Sequence, residues 1–317
     1  MTALARDPRT QFARTVTDLL DEDLSTALVI AEISARFFGA AFRRHPDRAL
    51  NVGIREQLLV NVGAGMALTG MRPIVHTFGT FLAERAFEQV KLGFVHQGVG
   101  GVLVGAGGSF DASTAGRTHQ TPGDVALMDT LPDVAIHAPG TVAETDDVLR
   151  AAVAADGVHY VRVVEQTNHE SFAGSGLHVV RRGSGATVVA LGPVLDDVLA
   201  ATAGRDVTVV YAHTVRPFDG PGLRRLLRTP DVVLVEPWLA GTSARCVAEA
   251  LVDVPHRLLA LGTRRLELRH YGTPAEHQRA HGLDAAGIRR SMDAFFDAAS
   301  TAPPDYHVRA ATSGAPV

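Results

Sequence analysis

Valine-rich apolar runs, each separated from the next by a helical pattern, recur along the chain: ALVIAEI (27–33), RPIVHTF (72–78), GVLVGAG (101–107), DVAIHAP (133–139) and HYVRVV (159–164). A strand that is apolar on both faces has to be covered on both. Short strands of this kind joined through helices predict a parallel sheet held between helical layers. Helical spacing falls at about 10–21, 55–69, 80–96 and 142–155. The last stretch opens with Thr141 and carries Glu144 three residues on, the spacing of a capping box.

After Val164 the rhythm lapses in EQTNHESFAGSGLHVVRRGSG, a polar, glycine-rich stretch that reads as a connection between domains. A second series then begins: ATVVALG (186–192), DVTVVYA (206–212), DVVLVEP (231–237) and RLLALG (257–262), with helical stretches near 194–203, 219–228, 239–252 and 284–299. The expected class is therefore α/β in two domains, 1–174 and 183–300, each a mainly parallel sheet flanked by helices. The small, polar, proline-bearing segment 301–317 is expected to be a disordered tail.

Bulk properties exclude several function classes. With 317 residues, 46% hydrophobic, the chain is long enough for two packed cores. A net charge of -4 without a long basic run gives no footprint for nucleic acid or an anionic membrane. No apolar run approaches the roughly 20 residues that span a bilayer, and the first residues lack the order of a secretion signal, so a cytoplasmic protein is expected. Cys246 is the single cysteine, which rules out an internal disulfide and a multi-cysteine metal site. None of the 14 histidines falls in a ligand pattern, and no metal ligands are expected on this chain. The glycines from Gly98 to Gly105 lead into a strand instead of opening a helix, so they make a turn and not a dinucleotide fingerprint.

Residues 51–91 are more informative. A strand ends at Val52, Gly53 permits a tight turn, and a helix follows whose small residues Gly63, Ala64, Gly65 and Ala67 suit close packing. Glu56 thus falls in the first helical turn at the carboxyl edge of a parallel sheet, where open α/β folds place ligands. On the residues alone, the helix dipole is sufficient reason for a glutamate there.

GIREQ, the small-residue helix and HTFGTFLAERAFEQ, followed by GRTHQTPGDVALMDTLPDVAIHAPG, resemble the pyrimidine-binding domain of transketolases and deoxyxylulose-phosphate synthases over about residues 20–165. VYAHTVRPFD, VEPWLAGTSA and HYGTPAEHQRAHGLDAAGI resemble the C-terminal domain of the same family more loosely. The resemblance implies thiamine diphosphate as cofactor and transfer of a two-carbon ketol or acyl unit. It makes Glu56 the glutamate that hydrogen-bonds the pyrimidine N1′, a carboxyl that shielding by the ring would shift toward its protonated form. It makes His119, in GRTHQ, the histidine that faces the substrate, with an ordinary pKa of about 6.5 that suits proton transfer near neutrality. Phe78 matches an aromatic that stacks on the pyrimidine, and Phe81 matches another for which core packing is an equal alternative. Glu32 falls among the implied cofactor contacts, and Arg117, Gln120 and Arg162 among the implied substrate contacts, with plain surface arginine an equal reading of Arg117 and Arg162. Glu84 stands where transketolases often carry a further aromatic.

The departures carry their own implications. The chain has no GDG motif, so Mg2+ and the diphosphate are expected on a separate α-type subunit in an α2β2 heterotetramer. Gly107 and Ala115 replace a histidine and an acid of the family, and Glu165-Gln166-Thr167 replaces an arginine-bearing segment that reads phosphate. An unphosphorylated or atypical ketose or 2-oxo acid is the substrate this implies. Two other readings stay open: the β subunit of a 2-oxo-acid dehydrogenase, and a non-catalytic assembly or regulatory subunit that keeps the fold.

Overall fold

The computed structural model describes residues 7–269 and 271–300, so the expected tail at 301–317 lies outside the described residues. The valine runs form strands, nearly every residue of which is buried except in those at 135–137 and 257–263, which are largely half-buried. The first series comprises α1 (Pro8–Glu22), β1 (Thr26–Ile30), α2 (Gly39–Arg44), β2 (Ala49–Asn51), α3 (Glu56–Leu68) and β3 (Arg72–Phe78). A helical stretch with α4 (Phe87–Gln89) between two π-helical segments leads to β4 (Gly101–Ala106), α5 (Asp124–Met128), β5 (Ala135–His137), α6 (Val142–Ala154) and β6 (Val158–Val163). Next come β7 (His178–Arg181), β8 (Thr187–Leu191), α7 (Leu195–Ala201), β9 (Thr208–Ala212), β10 (Thr214–Arg216) and α8 (Gly220–Leu226). The described chain ends with β11 (Asp231–Leu239), α9 (Ala244–Ala250), β12 (Arg257–Thr263), α10 (Pro274–His281) and α11 (Ala285–Ser300).

Two sheets result. The larger has seven strands in the order β10-β5-β6-β4-β3-β1-β2, parallel except that β10 runs against β5. The smaller has five, β12-β11-β8-β9-β7, parallel except that β7 runs against β9. The alternation of side chains along a strand then sorts the core. Leu28, Ile30, Ile74, Val102 and Val104 pack with Phe12, Val16 and Leu20 of α1 and Val148 and Leu149 of α6. Val29, Val75 and Leu103 point the other way, into a core that continues through Val189, Leu191, Val232 and Trp238 of the smaller sheet. Full burial of each such side chain is worth about 1.5–3 kcal/mol, so the shared core binds the two sheets together as well as each sheet to its helices.

Besides the short helices α2 and α10, for which no helical stretch is expected, the structure differs from the sequence expectation in three features of its strands and their connections. The connecting stretch after Val164 contains β7, an edge strand of four residues, too short and too closely flanked by glycine to show a period. Thr214–Arg216 adds β10 to the larger sheet although it follows three strands of the smaller one, β7, β8 and β9. The helix expected at 239–252 is shorter, because β11 runs on to Leu239. Capping also differs. Thr141 Oγ1 accepts from Glu144 N at 3.1 Å, but the Glu144 carboxylate turns to Gly140 N and the Tyr211 hydroxyl, each at 2.7 Å. The complete capping box is Thr273 with Glu276, at the start of α10.

Where β10 joins β5, the rings of His137 and His159 stack with centroids 5.4 Å apart, and His137 also contacts Thr214 Oγ1 at 3.2 Å. Burial, followed by the neighbouring His159 and His213, pushes His137 down to about 3 from its ordinary 6.5. Between those values the unfolded chain binds a proton that the folded chain refuses, so this contribution to stability is complete above pH 6.5 and is lost as the pH falls toward 3. Urea unfolding from pH 7 to 4 should show a falling midpoint, and His137→Leu should flatten part of that slope.

Candidate active site

The turn between β2 and α3 is organised by one asparagine. Asn51 Oδ1 accepts from Gly53 N at 3.0 Å and from Glu32 N at 3.1 Å, while its Nδ2 donates to Glu32 Oε2 at 2.9 Å. Gly53 sits at φ +74°, where a side chain is disfavoured. The chain therefore re-enters as a helix whose first residue is Glu56. A Cβ at Gly63 would collide with Val75 Cγ2, so glycine lets α3 lie close on β3.

Glu56 is only 2% exposed, and its Oε2 accepts from Arg85 Nη1 at 2.9 Å. Arg85 lies with its guanidinium carbon 4.0 Å from the Phe81 ring centroid. Above this pair opens a cleft of about 440 Å3, with Glu32, Glu56, Phe78, Phe81, Arg85 and His119 among its lining residues. Its aromatic wall is a set of edge-on rings: Phe78 to Phe81 at 5.9 Å, Phe78 to His119 at 5.0 Å and Phe81 to His119 at 5.1 Å. Glu32, which lines the cleft, and the buried Ser34 two residues on both adopt φ +64°, an uncommon conformation for residues with side chains.

Five of the sequence-derived site residues, Glu32, Glu56, Phe78, Phe81 and His119, thus meet in one cleft. The other three lie elsewhere. Arg162 is 1% exposed; its Nε donates to Asp124 Oδ2 at 2.6 Å, its Nη2 donates to Ser109 Oγ at 2.9 Å, and its guanidinium stands 5.3 Å from the Trp238 ring. Neither a surface arginine nor a residue of this cleft, it is half of a buried ion pair. Arg117 and Gln120 flank His119 in sequence but line a different pocket. Glu84 carries a carboxyl whose pKa is raised by burial, and Thr80 Oγ1 donates to it at 3.4 Å. Gly107, at φ +73°, leaves room for Phe78, whose Cδ1 would lie 3.3 Å from a Cβ there. Glu165 is exposed, with its backbone N–H donating to Asp111 Oδ2 at 2.7 Å.

Two cations of this neighbourhood have no signal in the sequence. Arg85 meets Glu56 across 29 residues, a separation that no local rule connects. Arg9, near the start of α1, stands 5.7 Å from the Phe78 ring. Burial lowers its pKa, and the charges of Glu165 and Asp111 act the other way.

The family model "Transketolase, pyrimidine binding domain" matches residues 7–169. The chain belongs to the transketolase family. An uncharacterised 33.6 kDa protein in the fasciation locus of Rhodococcoides fascians is 46% identical over 296 residues, covering 92% of this chain and 95% of that protein. The 6-deoxy-6-sulfo-D-fructose transketolase subunit of Clostridium sp. (strain MSTE9) is 28% identical, covering 77% of this chain and 78% of that one. The 1-deoxy-D-xylulose-5-phosphate synthase of Leptothrix cholodnii is 31% identical over 86% of this chain, which spans only 44% of the synthase. Among solved structures, a split-gene transketolase in an inactive β4 tetramer matches with a TM-score of 0.80, 24% identity and coverage of 92% and 98% of the two chains.

In this transketolase-family chain the Asp124–Arg162 pair holds the two sheets in place, since Asp124 also accepts from the Tyr160 hydroxyl at 2.9 Å and Arg162 faces Trp238 of the smaller sheet. Asp124→Ala leaves a buried guanidinium without its counter-charge. Such a loss costs about 3–5 kcal/mol, to be read from urea unfolding. An effect below about 1 kcal/mol, the level of exposed pairs, would contradict the structural role.

Proposed function

We propose that this chain is the pyrimidine-binding subunit of a thiamine-diphosphate enzyme that transfers a two-carbon ketol or acyl unit, completed by a separate subunit that holds the diphosphate and Mg2+. The observation that carries the reading is the buried Glu56 at the floor of an apolar cleft walled by Phe78, Phe81 and His119. The residues fit the cofactor's pyrimidine: aromatic faces and edges for a flat ring, and one desolvated carboxylate for its N1′. With Oε2 held by Arg85, Oε1 is left for that nitrogen. Among the described residues, no group of three or more His, Cys, Asp or Glu side chains is placed to hold a metal ion. In this reading Mg2+ lies with the diphosphate, on the partner. The name of the Clostridium relative, a transketolase subunit, supports a divided enzyme.

Each side chain has a task in this reading. Thiamine diphosphate, when bound, supplies the nucleophilic carbon and the electron sink for attack on a ketose or 2-oxo-acid carbonyl. Glu56 shares a proton with N1′, Phe78 and Phe81 hold the ring and exclude water, and His119 gives and takes a proton at a substrate oxygen. Arg9 offsets the charge of Glu165, which weakens the repulsion of an anionic substrate that Glu165 alone would exert. No helix among the described residues is long and apolar enough to cross a membrane, and a single buried, free cysteine suits the reducing cytoplasm in which we place the enzyme.

Glu56→Gln keeps the shape of the side chain and removes its capacity to exchange a proton. In the enzyme reconstituted with its partner, turnover should fall roughly 100-fold or more, the contribution of a positioned proton-transfer group. A folded variant with turnover near that of the wild type would remove Glu56 from the mechanism.

A further inference from the structure

The short helical turn Arg117–His119 has two sides. His119 faces the Glu56 cleft, whereas Arg117 and the adjoining Gln120 line a second pocket of about 280 Å3 between the two sheets. Its opposite wall is the segment that leaves β12, with Arg264, Arg265 and Glu267, together with His281 of α10. The pocket borders Leu239 and Thr263, the last residues of β11 and β12. This is the carboxyl edge of a parallel pair, where open α/β sheets bind ligands.

The charge of this pocket is unbalanced. Three guanidinium groups face one carboxylate among its lining residues. Arg117 Nε donates to Glu267 Oε2 at 3.2 Å, but the two side chains are 53% and 55% exposed, so the pair is held weakly. Arg264 is fastened to the Ala280 carbonyl. Arg265 is exposed and has no hydrogen-bond acceptor or ion-pair partner among the described residues. A second observation is independent of the arginines: Gln120 is 3% exposed, and its buried Nε2 has no acceptor. A buried donor left unmade costs about 1–3 kcal/mol, a cost that an incoming oxygen would remove.

Arginine forks match the oxygens of phosphate, and a side-chain amide adds a neutral donor to them. The volume exceeds that of an inorganic ion and suits a small phosphorylated molecule. We propose that this pocket binds a small organic phosphate, gripped by Arg117 and Arg265 with the Gln120 amide donating from the inner wall. The site is separate from the Glu56 cleft, and the turn Arg117–His119 lies between the two.

Pyrophosphate is a suitable probe. Calorimetric titration into the full chain at low ionic strength should give saturable binding of one equivalent. Arg265→Glu and Arg117→Gln, each verified as folded by circular dichroism, should each weaken it about tenfold or more, the loss of one charged hydrogen-bonding partner. Arg9→Ala, which alters the other cation-bearing region, should leave the affinity within about twofold, a change of less than 0.5 kcal/mol. Absence of saturable binding, unchanged affinity in Arg265→Glu, or an equal weakening in Arg9→Ala would overturn the proposal.

Discussion

The cleft depends on one carboxylate kept out of water at the first turn of a helix. Glu56 is held there by three things: the Asn51 turn that aims α3, the glycine contact that seats α3 on β3, and the Arg85 guanidinium that balances its charge. A buried carboxylate without such a partner would be costly. Arg85 is in turn placed by its contact with Phe81, which belongs to the aromatic wall. Charge balance and cleft architecture are thus one structure.

The second constraint is the joining of the two sheets. Trp238 of β11 lies in the core shared with the larger sheet, Arg162 packs against it, and the Ser109 hydroxyl donates to the Pro237 carbonyl at 2.5 Å. On the far side β10 ties residues of the second series into the first sheet. The loop that carries His119 is fixed from the same direction: Phe110 is stacked between His277 and His281 of α10, with centroids 4.6 and 5.0 Å away. The smaller sheet and its helices therefore position a residue of the candidate site without lining the cleft themselves.

Much of this was legible in the sequence, for identifiable reasons. The central strands could be read because burial on both faces writes a continuous valine run. β7 and β10 could not, since four and three residues carry no period. Glu56 could be placed at a helix start by local chemistry, but the role proposed for it came only through the resemblance to a family. The burial of Arg162 could not be read, under either the substrate-contact or the surface reading, because exposure is the usual state of arginine and its partner Asp124 is 38 residues away. Arg85 and Arg9 were missed for the same physical reason: their partners are brought to them by the fold and not by spacing.

The central claim is that this chain supplies one half of a thiamine-diphosphate site. The most direct measurement is calorimetric titration of thiamine diphosphate with Mg2+ into the purified chain, alone and together with its partner subunit. The account predicts weak binding to the chain alone and tight, Mg2+-dependent binding to the pair. Tight, Mg2+-dependent binding to the chain alone would contradict it.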